Sequence, residues 1–354
     1  MSYISRTVQA LEAYTPGEQP NLTGVVKLNT NENPYPPSPA VGLALREFDW
    51  QGLRLYPDPV FKALRRRLAE IHGATPDQVF VGNGSDEVLA LATRAFVEND
   101  GSIGYFNPSY SLYPVLADIR GVERRPVELA EDFSWAMPEG YRADLFFLTN
   151  PNAPTSLLHP KATVGAFASG FDGVVFIDEA YADFAPETCM SLAVDPRNRN
   201  TIVMRTLSKS FSLAGLRFGY CVGPAELIGA LYKIKDSYNM DRLAQTLAFA
   251  ALNDLDSMQS NVRKIIDTRR ILTRELAALG WKVLPSATNF LFARPPDGRA
   301  EERFLRLKER RIFVRYFPAP RTREYLRITI GTDDEMHRLV EALKAIDSQP
   351  YSRS

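Results

Sequence analysis

Residues 201–222 read TIVMRTLSKSFSLAGLRFGYCV. Two apolar runs, TIVMRT (201–206) and FGYCV (218–222), have the make-up of buried strands, and a polar loop separates them. That loop holds a lone lysine, Lys209, and an arginine, Arg217, eight positions further on. The neighbours Ser208, Ser210, Phe211, Ser212 and Leu213 suit a pocket wall better than a wet surface. Burial at a strand end lowers a lysine's pKa and prepares its amine as a nucleophile. Ser208 and Arg217 are then placed to bind a phosphate, the arginine by paired hydrogen bonds. The plain alternative is a lysine that lays its stem on apolar surface and keeps its head in water.

Outward from this stretch, QVFV (78–81), SIGYF (102–106), DLFFLT (144–149) and GVVFID (173–178) are further strand candidates. Amphipathic segments such as PVFKALRRRLAEIHG (59–73) and SDEVLALATRAFVEN (85–99) lie between them. Alternation at this spacing predicts an α/β chain with a largely parallel, helix-covered sheet. From 241 to 279 the pattern turns helical, and Gly280 is a stop signal. NFLFAR (289–294) and YLRITIG (325–331) then flank the helix-like EERFLRLKERR (301–311), and DDEMHRLVEALKAI (333–346) is the last helix candidate. This tail reads as a smaller α+β domain. The first forty residues are irregular and rich in proline and asparagine. The expected division is an arm over 1–40, a large domain over 41–245 and a small domain over 246–354.

The chain has 354 residues, enough for two domains. Lysine plus arginine equals aspartate plus glutamate at 42 each, so no global field recruits nucleic acid or an anionic membrane. Anion binding must be local. Cys189 and Cys221 form no metal or redox pair by spacing, and free thiols suit a reducing compartment. No leader-like apolar run opens the chain and no apolar segment reaches membrane-spanning length, so a cytoplasmic protein is expected.

Ligands of open parallel sheets bind beyond the carboxyl ends of the strands. Besides the Lys209 loop, three strings sit there. VGNGSDE (81–87) leads through two glycines into a helix from about Ser85, an anion site through its backbone N–H groups; it also reads as a simple tight turn. FIDEAYADF (176–184) ends a strand with Asp178 and sets Tyr181 three residues on. Asp178 either caps a helix or holds a protonated heterocyclic nitrogen, with the Tyr181 hydroxyl on a neighbouring oxygen. NPNAPTS (150–156) is rich in turn residues, and an amide pinned there can donate to a phenolate-like oxygen. An electron-sink carboxylate, a nucleophilic lysine, a phosphate turn and a phosphate arginine together describe a pyridoxal 5′-phosphate site.

These strings resemble the fold-type I, class I/II pyridoxal phosphate aminotransferases, and within them the histidinol-phosphate aminotransferases. SKSFSLAGLRFGY is similar to their lysine motif and FIDEAYADF to their aspartate–tyrosine motif. AYTPGEQP, LNTNENPYPPSP, LYPDP, VGNGSDE, NPSYSLYP, NPNAPTS and YLRITIGT extend the likeness along nearly the whole chain. The resemblance implies a mostly parallel seven-stranded sheet covered by helices, a smaller α+β domain, and a homodimer whose subunits share active sites. It implies that Lys209 bonds the cofactor aldehyde and then carries the proton, that Asp178 keeps the ring nitrogen protonated and that Tyr181 bonds the ring hydroxyl. Ser85, Asp86, Ser208 and Arg217 would surround the phosphate, and Tyr110 would stack on the ring. Tyr56 would reach the phosphate of the neighbouring subunit. Arg327, helped by Arg315 and Arg323, would grip the substrate's carboxylate or phosphate, and Tyr14 and Asn31 of the arm would close the pocket.

One string departs from the family. Members commonly have two consecutive asparagines before Pro-Thr-Gly, whereas this chain has Asn152, Ala153, Pro154, Thr155 and Ser156. Asn152 is the amide left to serve the ring hydroxyl. The implied reaction is transamination between L-histidinol phosphate and 2-oxoglutarate, giving imidazole-acetol phosphate and L-glutamate, in histidine biosynthesis. An aromatic amino acid aminotransferase or a phosphothreonine decarboxylase of the same fold would keep the same cofactor residues. A non-catalytic sensor of a phosphorylated ligand is the reading from another class.

Overall fold

The computed structural model describes residues 2–11 and 17–348. Among the described residues thirteen strands follow along the chain: β1 Val26–Lys27, β2 Val79–Gly82, β3 Ser102–Asn107, β4 Glu123–Glu128, β5 Leu145–Thr149, β6 Val174–Asp178, β7 Thr201–Thr206, β8 Gly219–Val222, β9 Lys282–Val283, β10 Phe290–Arg294, β11 Ile312–Phe313, β12 Arg315–Tyr316 and β13 Leu326–Thr329. Seven of them form one sheet in the order β2-β8-β7-β6-β5-β3-β4. Only β8 runs against its neighbours, β2 and β7. An antiparallel neighbour can be reached by a short connection, whereas parallel strands need a crossover. The loop between β7 and β8 is therefore short, and it is the loop that carries Lys209 and Arg217.

The central strands are buried on both faces, which is why LFFLT and VVFID are almost wholly apolar. One face presents Val81, Phe146, Leu148, Val175, Ile177 and Val203 to a first core. The alternate residues Phe80, Leu145, Phe147, Phe176, Ile202 and Met204 enter a second. Strand β4 has no counterpart among the sequence candidates. Its string ERRPVE is mostly exposed and holds a proline, and it pairs only with β3 at the sheet edge.

A four-stranded antiparallel sheet, β12-β13-β10-β9, forms the C-terminal part. Helices Leu255–Ala278, Ala300–Glu309 and Asp333–Asp347 bury Ile265, Leu272, Leu307, Leu339 and Leu343 in the core shared with it. The arm joins this part: β1 pairs in parallel with β11, and Thr329 N–H donates to the Leu28 carbonyl. Helix Arg242–Leu252 crosses the expected boundary at 245/246, and its Ala244, Leu247, Ala248 and Ala251 lie in the core of the large sheet.

Candidate active site

The carboxyl ends of β2, β5, β6 and β7, with the start of β8, open on one cavity of about 300 Å³. Eleven sequence-predicted residues line it: Asn31, Ser85, Asp86, Tyr110, Asp178, Tyr181, Ser208, Lys209, Arg217, Arg315 and Arg327. Asp178 is the last residue of β6 and is 4% exposed. Burial pushes its carboxyl up to about 6, against the opposing effect of two hydrogen bonds. Those bonds come from the Ala180 N–H to Oδ1 at 3.1 Å and from the Tyr113 hydroxyl to Oδ2 at 3.0 Å. Lys209 stands on the loop after β7, and its Nζ donates to the Thr30 carbonyl at 3.2 Å. Burial, and then the charge of Arg327, push this amine down to about 8.

A glycine-dependent turn builds the opposite end. Gly84 has φ +83° and ψ 165°, backbone essentially reserved for glycine, and a Cβ there would come within 2.7 Å of Arg217 Nη2. Helix Ser85–Phe96 starts directly after it, so its unpaired N–H groups face the space beside Arg217. Arg217 itself has φ +57° and lies 3.4 Å from Asp86 Oδ2. Ser208 Oγ is held 2.9 Å from Thr206 Oγ1. Tyr110 reaches Asp86 Oδ1 at 3.3 Å and meets the Tyr113 ring edge-on.

The arm supplies a wall. Asn31 Nδ2 donates to the Tyr181 hydroxyl at 2.9 Å, and Asn33 Nδ2 donates to the carbonyls of both Lys209 and Ser210 at 3.1 Å. Arg327 Nη2 donates to the Asn29 carbonyl at 2.9 Å and lies over the Phe290 and Phe317 rings. Arg315 also lies over Phe317.

Three predicted residues are elsewhere, and a fourth is not described. Asn152 is wholly buried but does not line the cavity: Nδ2 donates to Pro108 O and Thr155 Oγ1, and Oδ1 accepts from Ser109 Oγ at 2.8 Å. Its amide is engaged in fixing the loop ahead of Tyr110. Ala153, with no polar side chain, holds the wall position instead. Tyr56 is 77% exposed and stacks on Tyr238, away from the cavity of its own chain. Arg323 lines a separate surface hollow with Tyr316 and Glu324. Tyr14 lies outside the described residues.

Residues that sequence reasoning passed over complete the site. Tyr113 is fully buried, and its hydroxyl also lies 2.5 Å from Thr149 Oγ1. It sits in the same NPSYSLYP string as Tyr110, three residues on, and that helical spacing was the available signal. Asn33 and Thr30 belong to the quoted arm motif but had no assigned task.

Comparison with known proteins agrees with this geometry. Residues 23–343 match the family described as aminotransferase class I and II. The histidinol-phosphate aminotransferase of Citrifermentans bemidjiense is 43% identical over 98% of this chain and 99% of its own. Histidinol-phosphate aminotransferase 2 of Burkholderia lata is 48% identical over 97% of this chain and 99% of its own. The solved histidinol-phosphate aminotransferase of Sinorhizobium meliloti in complex with pyridoxal-5′-phosphate superposes with a TM-score of 0.87. That alignment has 26% identity and covers 98% of this chain and 99% of that one. A fold with this strand order, a lysine and a buried aspartate lining one cavity at the strand ends, and full-length relatives of this kind have one explanation: the chain belongs to the class I and II aminotransferases.

Proposed function

We propose that the chain transfers the amino group of L-histidinol phosphate to 2-oxoglutarate, yielding imidazole-acetol phosphate and L-glutamate, as a step of histidine biosynthesis. The observation that carries this reading is the convergence of Asp178, Lys209 and Arg217 on one cavity in a chain whose full-length relatives bear that name. The donor set fits pyridoxal 5′-phosphate. A buried carboxylate facing the cavity calls for a cationic N–H partner, and Arg217 beside a helix start calls for an anion. When bound, that cofactor supplies a protonated ring that takes up the electron pair released at the substrate Cα.

The residues divide the work. Asp178 holds the proton on the ring nitrogen, and Tyr113 keeps that carboxylate oriented. The helix start at Ser85 and Asp86, the Ser208 hydroxyl and Arg217 hold the phosphate. Tyr181, oriented by Asn31, would donate to the ring oxygen, and Tyr110 would lie against the ring. Lys209 would hold the aldehyde end of the cofactor through its amine. Its amine, kept near neutrality by burial, then takes the proton from Cα and returns it one atom further along. Arg327 and Arg315 bind the substrate's anionic end, with Tyr14 on the arm closing the pocket. Asn152 is a positioning residue for Ser109 and Tyr110.

Tyr56, Trp50, Leu53 and Leu55 form an exposed apolar patch, which supports a homodimer in which Tyr56 reaches the partner's phosphate site. Among the described residues no helix is long and apolar enough to cross a membrane, in keeping with a cytoplasmic address. The division into an arm over 1–40, a large domain over 41–245 and a small domain over 246–354 is part of the same proposal. Sedimentation of the chain tests the dimer, and limited proteolysis tests the boundaries.

The central test is borohydride reduction of the protein with its cofactor, followed by peptide mass mapping, beside a half-reaction panel. A label at Lys209, loss of turnover in Lys209→Ala, and preference for histidinol phosphate over phenylalanine, tyrosine and phosphothreonine are expected. Turnover by Lys209→Ala, or carbon dioxide release from phosphothreonine, would overturn the reading.

A further inference from the structure

Beneath the cavity lies a buried ionic cluster that none of the roles above uses. Arg205, on β7 one residue before its end, is its centre, with a side chain only 13% exposed. Its Nε and Nη2 donate to Glu179 Oε2 at 3.1 and 2.9 Å, and Nη1 donates to Asp183 Oδ1 at 2.9 Å. Nη2 also reaches Thr188 Oγ1 at 2.7 Å. Glu179 is 1% exposed at its side chain and accepts the Cys189 N–H through its other oxygen. Asp183 accepts the Ser210 hydroxyl through Oδ2.

The cluster's connections along the chain are specific. Glu179 directly follows Asp178, and Ser210 directly follows Lys209. The guanidinium therefore ties β7 to two carboxylates on the segment leaving β6, and one of them, Asp183, in turn holds Ser210 on the segment leaving β7. The planar fork fixes two carboxylates at once, a geometry an ammonium cannot reproduce. Asn33, from the arm, grips the Lys209 and Ser210 carbonyls and steadies the same loop from the arm side.

We infer that Arg205 is a positioning residue that sets the spacing between Asp178 and Lys209 through Glu179 on one side and Asp183–Ser210 on the other. This rests on the roles proposed above for Asp178 and Lys209. Proton transfer needs the amine to stand at the substrate Cα while the ring nitrogen stands at the carboxylate. A displacement of either group by about an ångström costs on the order of a hundredfold in rate. The phosphate holders Ser85, Ser208 and Arg217 make none of these contacts with Arg205, so cofactor retention and chemistry separate.

The test compares wild type, Arg205→Met, Arg205→Lys and Ser210→Ala, all as the cofactor-loaded protein. Three readings are taken: labelling at Lys209 after borohydride, the rate of cofactor release on dilution into a scavenger, and the single-turnover rate with glutamate. Expected in Arg205→Met are intact labelling, release within about threefold of wild type and a single-turnover rate lowered about a hundredfold. Arg205→Lys recovers part of that loss by serving one carboxylate. Ser210→Ala, which leaves Asp183 still paired with Arg205, loses a smaller factor of about 2–12 with release unchanged, following the net worth of one ordinary hydrogen bond. A single-turnover rate within threefold of wild type in a folded Arg205→Met overturns the inference. So does release that quickens by the same factor as the rate falls. If Arg205→Met does not fold, an unchanged rate in Ser210→Ala overturns it. Absence of a Lys209 label in wild type would instead strike the functional reading on which the inference rests.

Discussion

Replacing Asp178 with asparagine makes the cofactor-free chain more stable at neutral pH while slowing its chemistry. The Asp178 carboxyl lies at about 6 in the folded chain, against 3.8 for the unperturbed group, because burial penalises its charged form. Between those two values the folded chain keeps a proton that the unfolded chain has released. Stability therefore falls as pH rises from about 4 and levels off above about 6. A shift of roughly two units corresponds to about 3 kcal/mol once both states are ionised. The amide of Asp178→Asn does not titrate, so the variant escapes this cost and can still exchange hydrogen bonds with the Tyr113 hydroxyl and the Ala180 N–H. Urea unfolding of the cofactor-free wild type and Asp178→Asn at pH 5 and pH 7.5 isolates the effect, because other titrating groups cancel in the difference. The stability gap in favour of the variant is expected to widen by about 1 kcal/mol over that interval. The same variant should lose about 10–100-fold in single-turnover rate, the worth of a charge-assisted hydrogen bond. A gap that stays flat with pH refutes the assignment of Asp178 as a carboxylate held ionised at a cost for a cationic partner.

Two further expectations concern the other end of the site. Arg327→Met removes the charge that, after burial, does most to lower the Lys209 pKa, so the pH midpoint for carbamoylation of Lys209 by cyanate should rise above about 8 while staying short of 10.5; an unmoved midpoint counts against the coupling. Gly84→Ala puts a Cβ against Arg217 in backbone that only glycine favours, and should cost about 1–3 kcal/mol with at least tenfold faster cofactor release. Gly73→Ala, at φ +65° with nothing within 4 Å, is the control: it should lose stability alone, and equal release from both variants would refute the Arg217 argument.

The sequence made the scaffold legible where pattern and environment coincide. TIVMRT spans the same residues as β7, and the other central strands lie within a residue or so of their apolar runs, because double burial leaves little room for polar residues. The edge strand β4 escaped because its charged residues and proline are tolerated where one side meets solvent. The site was legible to the extent that its groups lie on strand ends with local motifs, as Lys209, Asp178 and Ser85 do. Tyr113, Arg205 and Asn33 act through partners 65, 26 and 176 residues away, and no local spacing announces such contacts. Asn152 shows the converse. Its motif marked it as a donor to the ligand, yet the turn it stands in uses up its amide.

The arm also sets an order of assembly during synthesis. Val26 and Lys27 align with Ile312 and Phe313, and the Asn31 N–H donates to Thr329 Oγ1. The arm segment thus finds its partners only after some three hundred further residues have been made. Until then Thr30, Asn31 and Asn33 lack the framework that presses them against Lys209 and Tyr181. The wall that the arm gives the pocket therefore forms only once residues 312–329 have joined the fold.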